Sequence, residues 1–584
     1  MSRPVGRLES SAVNNIPRFV VLAILLAGCS VKQEQDAPAG VPTGATSSSN
    51  KLGDERTLVD SKGIAAEAAP TAAFNEALQM AGSPAATCCF PSALPEDREN
   101  YEHLTGNPVR LVSEQPVSTF SIDVDTGSYA NVRRFLNAGV LPPEDAVRVE
   151  ELINYFSYQY PVPVSRDRPF TVSTTVAPAP WNKAKLLLQV GLKGYEISPE
   201  HRAASNLVFL IDVSGSMQDP DKLPLLKNAF RLLTRQLQAT DRIALVVYAG
   251  AAGAVLQPTP GNEQGKISAA LDQLEAGGST NGAGGIRLAY DLARQSFIKG
   301  GINRIVLATD GDFNVGTTNF DALIDIVERE REGGVSLTTL GFGTGNYNDQ
   351  LLERLADAGN GNYAYIDTLS EGRKVLVEQL SGTLQTIAKD VKIQVEFNPT
   401  AVAEYRLIGY ENRLLNREDF NNDRVDAGEI GAGHTVTALY ELTLNDSPVR
   451  LVDPLRYRRG PEPAPTALAA ELAHIRLRYK DPDGNTSQLL EQPVRKADIR
   501  AASDLPRDLR FAAAVAAFGQ KLRGGEYLGD FDFGDIAALA AGARGDDPGG
   551  YRGEFLSLVK LADSLSVATD RPTIESPNAT QVRR

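Results

Sequence analysis

Between Asn206 and about Lys389 the hydrophobic positions switch repeatedly between two kinds of pattern. Short apolar runs fall at Leu207 to Ile211, Ile243 to Tyr248, Arg304 to Ala308, Ser336 to Gly341 and Tyr363 to Ile366. Between them, apolar residues recur every three or four positions at Leu223 to Leu237, Lys266 to Leu274, Gly285 to Phe297, Phe320 to Glu330, Asp349 to Ala358 and Glu371 to Lys389. The runs predict buried parallel strands and the spaced patterns predict amphipathic helices. Their alternation predicts an α/β unit: a doubly wound, mainly parallel sheet with helices on both faces.

On either side of this unit the period falls to two. Phe170 to Val176 and Leu186 to Leu192 alternate before it, and Val391 to Phe397, Glu404 to Gly409, Thr435 to Leu444 and His474 to Tyr479 follow it. Half-buried strands carry this pattern, so a β-sandwich is expected, either interrupted by the α/β unit or flanking it. A strand at Ser118 to Val124 and helices at Tyr129 to Asn137 and Glu144 to Phe156 come earlier. Asp508 to Leu522 and Glu554 to Leu565 each have an apolar face that needs a partner, which predicts a C-terminal helical cap.

At 584 residues the chain exceeds what one hydrophobic core supports, so several domains are expected. Arg3, Arg7 and Arg18 precede an apolar run, Phe19 to Leu26, that is too short to span a bilayer, as in an export signal. The run ends in Leu26-Ala27-Gly28-Cys29, which resembles the lipobox of bacterial lipoproteins. That resemblance implies a lipid on Cys29 and a cell-envelope location. Ser30 in the next position implies the outer membrane where the source has two membranes. Residues 29–95, rich in Ala, Gly, Pro, Ser and Thr, bury too little to offset their ordering entropy and predict a flexible tether reaching about 40 Å. The expected divisions are 1–28 signal, 29–95 tether, 96–204 N-terminal α+β region, 205–390 α/β domain, 391–495 sandwich region and 496–584 helical region.

Charge narrows the partners. The net charge is −14, and the signal removes more arginine than acid, so nucleic acid and anionic lipid surfaces are excluded as electrostatic partners. Beyond Cys29 the thiols are the adjacent Cys88 and Cys89. Neighbouring residues sit closer than a relaxed disulfide spans, so two reduced thiols are expected and no disulfide framework.

The candidate chemistry lies at strand ends. Leu207 to Ile211 runs into Asp212-Val213-Ser214-Gly215-Ser216, Gly277-Gly278-Ser279-Thr280 is a glycine-rich loop before a helix, and Ile305 to Thr309 ends in Asp310. If these ends are neighbours, Asp212, Ser214, Ser216, Thr280 and Asp310 converge on one point. Two carboxylates there repel each other, and a hard divalent cation relieves that repulsion with oxygen ligands. The pattern Asp-x-Ser-x-Ser, then Thr, then Asp resembles the metal-ion-dependent adhesion site of the von Willebrand factor type A fold, which is Rossmann-like. The resemblance implies a metal at these five residues, Mg2+ first with Mn2+ or Ca2+ as alternatives. It also implies a protein partner whose Asp or Glu completes the coordination. Phe120 to Thr126, Tyr129 to Leu136, Thr309 to Asn314 and Val425 to His434 further resemble a group of bacterial von Willebrand A lipoproteins.

Two other groupings carry weaker signals. Asp123-Val124-Asp125 suggests an aspartyl-phosphate nucleophile pair, but Gly127 stands where that motif needs Thr or Val, and a strand-end role is preferred. Asp419, Asn421 and Asp423 mimic a second cation loop, but Arg424 takes its glycine position and Ile430 its glutamate position, so a polar turn is preferred. Ser214 lacks the glycine that a nucleophile elbow places before it, Gly265-Lys266 lacks the rest of a nucleotide-binding loop, and the four histidines are scattered. The expected function is therefore a lipid-anchored, non-enzymatic binding protein. An envelope phosphohydrolase using Asp123 and Asp125, or a structural protein with a vestigial metal site, are the alternatives.

Overall fold

The computed structural model describes residues 98–122, 125–165, 167–279, 282–311, 320–379, 382, 384–453 and 468–569. The signal, Cys29, the tether, Cys88, Cys89, Asp123 and Thr280 lie outside them.

The chain opens with β1 (Arg110–Leu111), β2 (Val117–Ser121), α1 (Gly127–Asn137), α2 (Val149–Asn154), β3 (Phe170–Ala179) and β4 (Asn182–Gly194). The α/β unit begins with β5 (Ser205–Asp212), α3 (Leu223–Thr234), β6 (Arg242–Tyr248), β7 (Ala252–Pro260), α4 (Gln264–Asp272) and α5 (Gly282–Gln295). It continues through β8 (Ile302–Thr309), α6 (Phe320–Arg331), β9 (Ser336–Phe342), α7 (Asp349–Ala358), β10 (Tyr363–Ile366) and α8 (Leu369–Arg373). Strands then return as β11 (Thr386–Phe397), β12 (Val402–Ile408), β13 (Ile430–Gly431), β14 (Thr435–Leu444), β15 (Glu471–Lys480) and β16 (Ser487–Arg495). Helices α9 (Arg507–Leu522), α10 (Phe533–Ala541) and α11 (Tyr551–Thr569) follow.

The central sheet has the order β10-β9-β8-β5-β6-β7, and every pairing is parallel except β6 with β7. All of β5 is buried, because helices cover both faces of the sheet. Phe209 packs with Leu226 of α3 and Ile267 of α4 on one face. Val208 and Leu210 pack with Ile286 of α5 and Leu355 of α7 on the other. This is the doubly wound arrangement that the alternating pattern predicts.

Two antiparallel sheets hold the unit. One runs β1-β12-β14-β4-β3, and the other runs β13-β11-β15-β16 with β2 also paired to β11. Strands from before the α/β unit therefore pair with strands from after it: β1 with β12, β4 with β14, β2 with β11. The α/β unit is an insertion in a β-sandwich. Leu188, Val190 and Tyr440 of one sheet share a core with Ile393, Val395 and Leu477 of the other. The C-terminal helices cap it, with Phe511, Phe518 and Phe555 buried against Tyr155 and Phe156 beyond α2.

The structure departs from the sequence pattern in several places. The helix expected over Glu144 to Phe156 is split: a 3-10 turn at Glu144–Ala146 gives way to extended backbone at Val147 and Arg148, and α2 starts only at Val149. The helix expected over Glu371 to Lys389 ends early: α8 continues as a π-turn over Lys374–Glu378, and β11 starts at Thr386. Thr386 and Ala388 pair with β13 and Lys389 with β15, so ladder hydrogen bonds override the helix propensity of Ala388 and Lys389. Strand β7 carries Gly253, Pro258 and Pro260 among its nine residues and shows no clear alternation, as suits an edge strand. Strand β16 is likewise a half-exposed edge, and α10 buries Phe533, Ile536 and Ala540 at helical spacing, a pattern that the alanines among them hide in the sequence.

The junction between β13 and β14 holds a half-buried imidazole, His434, whose Nδ1 is shut off from solvent. Burial pushes His434 down to about 4, with Lys193 and Arg304 adding like charge. The unfolded chain binds this proton near pH 6.5 and the fold does not, so stability is present above pH 6.5 and is lost as pH falls toward 4. Between pH 7 and pH 5 the parent should lose up to about 2 kcal/mol more than His434→Gln. Urea unfolding at the two pH values measures this, and equal losses in both proteins would exclude the assignment.

Candidate functional site

The strand order creates a switch point. From β5 the chain steps to β6 on one side, and it later fills β8 on the other, so connections diverge and leave a crevice at the carboxyl ends of β5 and β8. Asp212 is the last residue of β5, and Asp310 follows the last residue of β8. Both are buried.

Hydrogen bonds fix the Asp212 carboxylate from two directions. Oδ1 accepts from the Ser214 N–H at 2.8 Å, and Oδ2 accepts from the Thr309 hydroxyl at 2.9 Å. Thr309 is held in turn by the Gly311 N–H at 3.1 Å. The Ser214 and Ser216 hydroxyls lie 3.0 Å apart. The glycine loop is tied to this strand end, with Gly277 N–H on the Val213 carbonyl at 2.8 Å and Gly215 N–H on the Gly278 carbonyl at 3.1 Å. Gly278 has φ +86°, a conformation that a side chain would strain. This loop leads to Thr280.

Burial raises the Asp212 carboxyl to about 6, against the hydrogen bonds from Ser214 and Thr309, and the charge of Asp310 adds to the rise. On the far side, Asp310 Oδ2 accepts from Lys222 Nζ and from Asn346 Nδ2, each at 3.1 Å. Asn346 belongs to a loop that is paired with the first described residues. Arg98 N–H bonds the Gly345 carbonyl, Asn100 N–H the Tyr347 carbonyl and Asp349 N–H the Asn100 carbonyl, at 3.0, 2.9 and 3.1 Å.

The donors expected from sequence at Asp212, Ser214 and Ser216 thus lie together, with Asp310 across the strand boundary. Thr309, Lys222 and Asn346 were missed. Thr309 adjoins Asp310 and was within reach of sequence reasoning, while Lys222 and Asn346 reach the site only through the fold. The donors are all oxygen and mix charged with neutral groups, a set that suits a hard divalent cation. Among the described residues no three His, Cys, Asp or Glu side chains are grouped to hold a metal, so a cation here would depend on the hydroxyls.

The weaker groupings are engaged otherwise. Asp125 accepts from the Tyr363 N–H at 2.8 Å and from Arg413, tying β10 to the segment before α1. Asp419 accepts from the N–H and side chain of Asn416, while Arg478 bridges Asn421 and Asp423. Lys392 donates to the Asp419 and Asn422 carbonyls. The loop is a polar inter-strand turn whose cations are the protein's own arginine and lysine.

Comparison with known proteins agrees with this architecture. The profile of the von Willebrand factor type A domain matches residues 206–379. A von Willebrand factor profile matches 95–189, and one described as "Uncharacterized protein YfbK, C-terminal" matches 382–565. YfbK of Escherichia coli K12 is 51% identical over 472 residues, covering 80% of this chain and 81% of that protein. This chain belongs to the YfbK family. More distantly, the human inter-alpha-trypsin inhibitor heavy chain H3 is 23% identical, over 53% of this chain and 39% of its own length. A solved von Willebrand factor type A protein from Catenulispora acidiphila is 17% identical with a TM-score of 0.38, covering 67% of this chain and 89% of that one. A von Willebrand A domain in this YfbK-family chain points to a role in protein interaction or adhesion. Among the described residues no helix is long and apolar enough to cross a membrane.

Proposed function

We propose that this chain is a non-enzymatic, lipid-anchored protein of the bacterial cell envelope. Its von Willebrand A domain binds a protein partner through a divalent cation held by Asp212, Ser214, Ser216, Thr280 and Asp310. The cation is Mg2+, with Mn2+ or Ca2+ as substitutes, and the anchor is a lipid on Cys29. The observation that carries the reading is the gathering of two buried carboxylates and two facing serine hydroxyls at the switch point between β5 and β8.

When bound, the cation supplies a Lewis-acid position for an Asp or Glu carboxylate of the partner. The chain's own groups prepare that position. Thr309 and the Ser214 N–H hold the Asp212 carboxylate in one orientation. Neutral hydroxyls at Ser214 and Ser216 leave a cation more electrophilic than further carboxylates would. The charge of Asp212, disfavoured by burial, is what a cation would stabilise.

Thermal unfolding with added metal tests the reading. At a metal concentration of about 100 times Kd, the parent should gain about 2.7 kcal/mol, seen as a raised melting temperature. Asp212→Ala should keep the fold and lose that gain. Equal melting shifts in parent and variant would sink the site.

A further inference from the structure

Beside Asp310 lies a cation that belongs to the chain. The Lys222 side chain is 4% exposed, and its ammonium sits 3.1 Å from Asp310 Oδ2 and 2.9 Å from Asn346 Oδ1. Its stem crosses Gly343, where φ is +76° and a β-carbon would collide with the lysine Cγ and Cε. A glycine thus makes room for a buried lysine that no solvent-seeking side chain would adopt. Lysine is strongly hydrated, and burying it without a counter-charge is costly. Its burial here requires the Asp310 carboxylate, and the placement is specific.

We infer that Lys222 sets the net charge of the metal site, weakening its hold on the cation and strengthening the loaded site's hold on a partner's carboxylate. This rests on the metal reading above. Asp212, Asp310 and Lys222 together carry one negative charge, so a divalent cation leaves the loaded site with one positive charge. One carboxylate from a partner then brings it to neutrality. Without the lysine the empty site carries two negative charges and the loaded site none. Metal would then bind more tightly, and the loaded site would lose its attraction for an anion. Asn346 donates to the same Asp310 oxygen, so the carboxylate keeps a neutral hydrogen bond when the lysine is removed.

The two opposite changes separate this role from a purely structural one. Mn2+ titrations by calorimetry on the whole chain should show Lys222→Met binding about ten-fold more tightly than the parent, with Lys222→Arg near the parent. On the Mn2+-loaded proteins, paramagnetic relaxation of acetate methyl protons reports a carboxylate reaching the metal. It should be strong in the parent and reduced several-fold in Lys222→Met. If Lys222→Met does not fold, Lys222→Gln, which keeps a donor without the charge, replaces it. Equal or weaker Mn2+ binding in the neutral variant, or unchanged acetate relaxation, overturns the inference and leaves the metal reading standing. Absence of Mn2+ binding in the parent overturns both.

Discussion

Arg148→Met should destabilise the protein by about 3–5 kcal/mol, read as a lowered urea midpoint at pH 7. Arg148 is 1% exposed. Its Nε donates to Glu151 and its Nη1 to Asp349, with Nη1 also 3.5 Å from Glu353 and Nη2 on Asp349 at 3.3 Å. Glu151 lies on α2, while Asp349 and Glu353 lie on α7, so this guanidinium joins the inserted domain to its host. Methionine fills much of the volume but leaves three buried carboxylates without their main counter-charge, and removing one partner from such a group is far more damaging than replacing all of them. Burial already pushes Glu353 up to about 7 against the pull of Arg148 and Arg413. Without Arg148 the Glu353 carboxyl should take up a proton still more readily in the fold than in the unfolded chain. The difference between variant and parent should therefore shrink as pH falls, and a deficit independent of pH between 7 and 5 would contradict the charge argument.

Phe555→Ala should cost about 3–5 kcal/mol by opening a cavity in the helical cap. The Phe555 ring on α11 meets Phe156 at 5.7 Å, Phe511 at 5.5 Å and Phe518 at 5.3 Å, all near edge-on. Those partners come from the segment after α2 and from α9, so the cap shares one core with the N-terminal helices. The core around β5 consists of other residues, among them Leu207, Phe209 and Ile211. Calorimetric Mn2+ affinity of the folded variant should therefore match the parent, while the melting temperature falls. A parallel loss of metal affinity would show that the two cores are coupled.

The sequence was most legible where burial is two-sided. Strands β5 and β8 read as apolar runs because helices cover both their faces, and the carboxylates at their carboxyl ends, Asp212 and Asp310, stand out for the same reason. Edges were harder: β7 and β16 face solvent along one side, so their composition follows turns and exposure more than pairing. The boundary after α8 failed because residues 386–389 are chosen by partners at Gly431, Ile430 and Lys480, which no local window contains. The same reason hides Lys222 and Asn346. Each looks like a surface turn residue in its own segment, and only the fold brings them to Asp310, 88 and 36 positions away in the chain. That the sandwich closes around the insertion was open from sequence, since pairings such as β4 with β14 span the whole α/β unit.

The pairing of residues 98–100 with the loop at 345–349 also has a mechanical side. Arg98 and Asn100 bond the carbonyls of Gly345 and Tyr347, which bracket Asn346, and Asn346 holds Asp310. A pull on the chain ahead of residue 98 would enter the described fold at this loop, before reaching the sandwich. Traction from the N-terminal side would therefore act on the same few residues as the recognition proposed for the switch point.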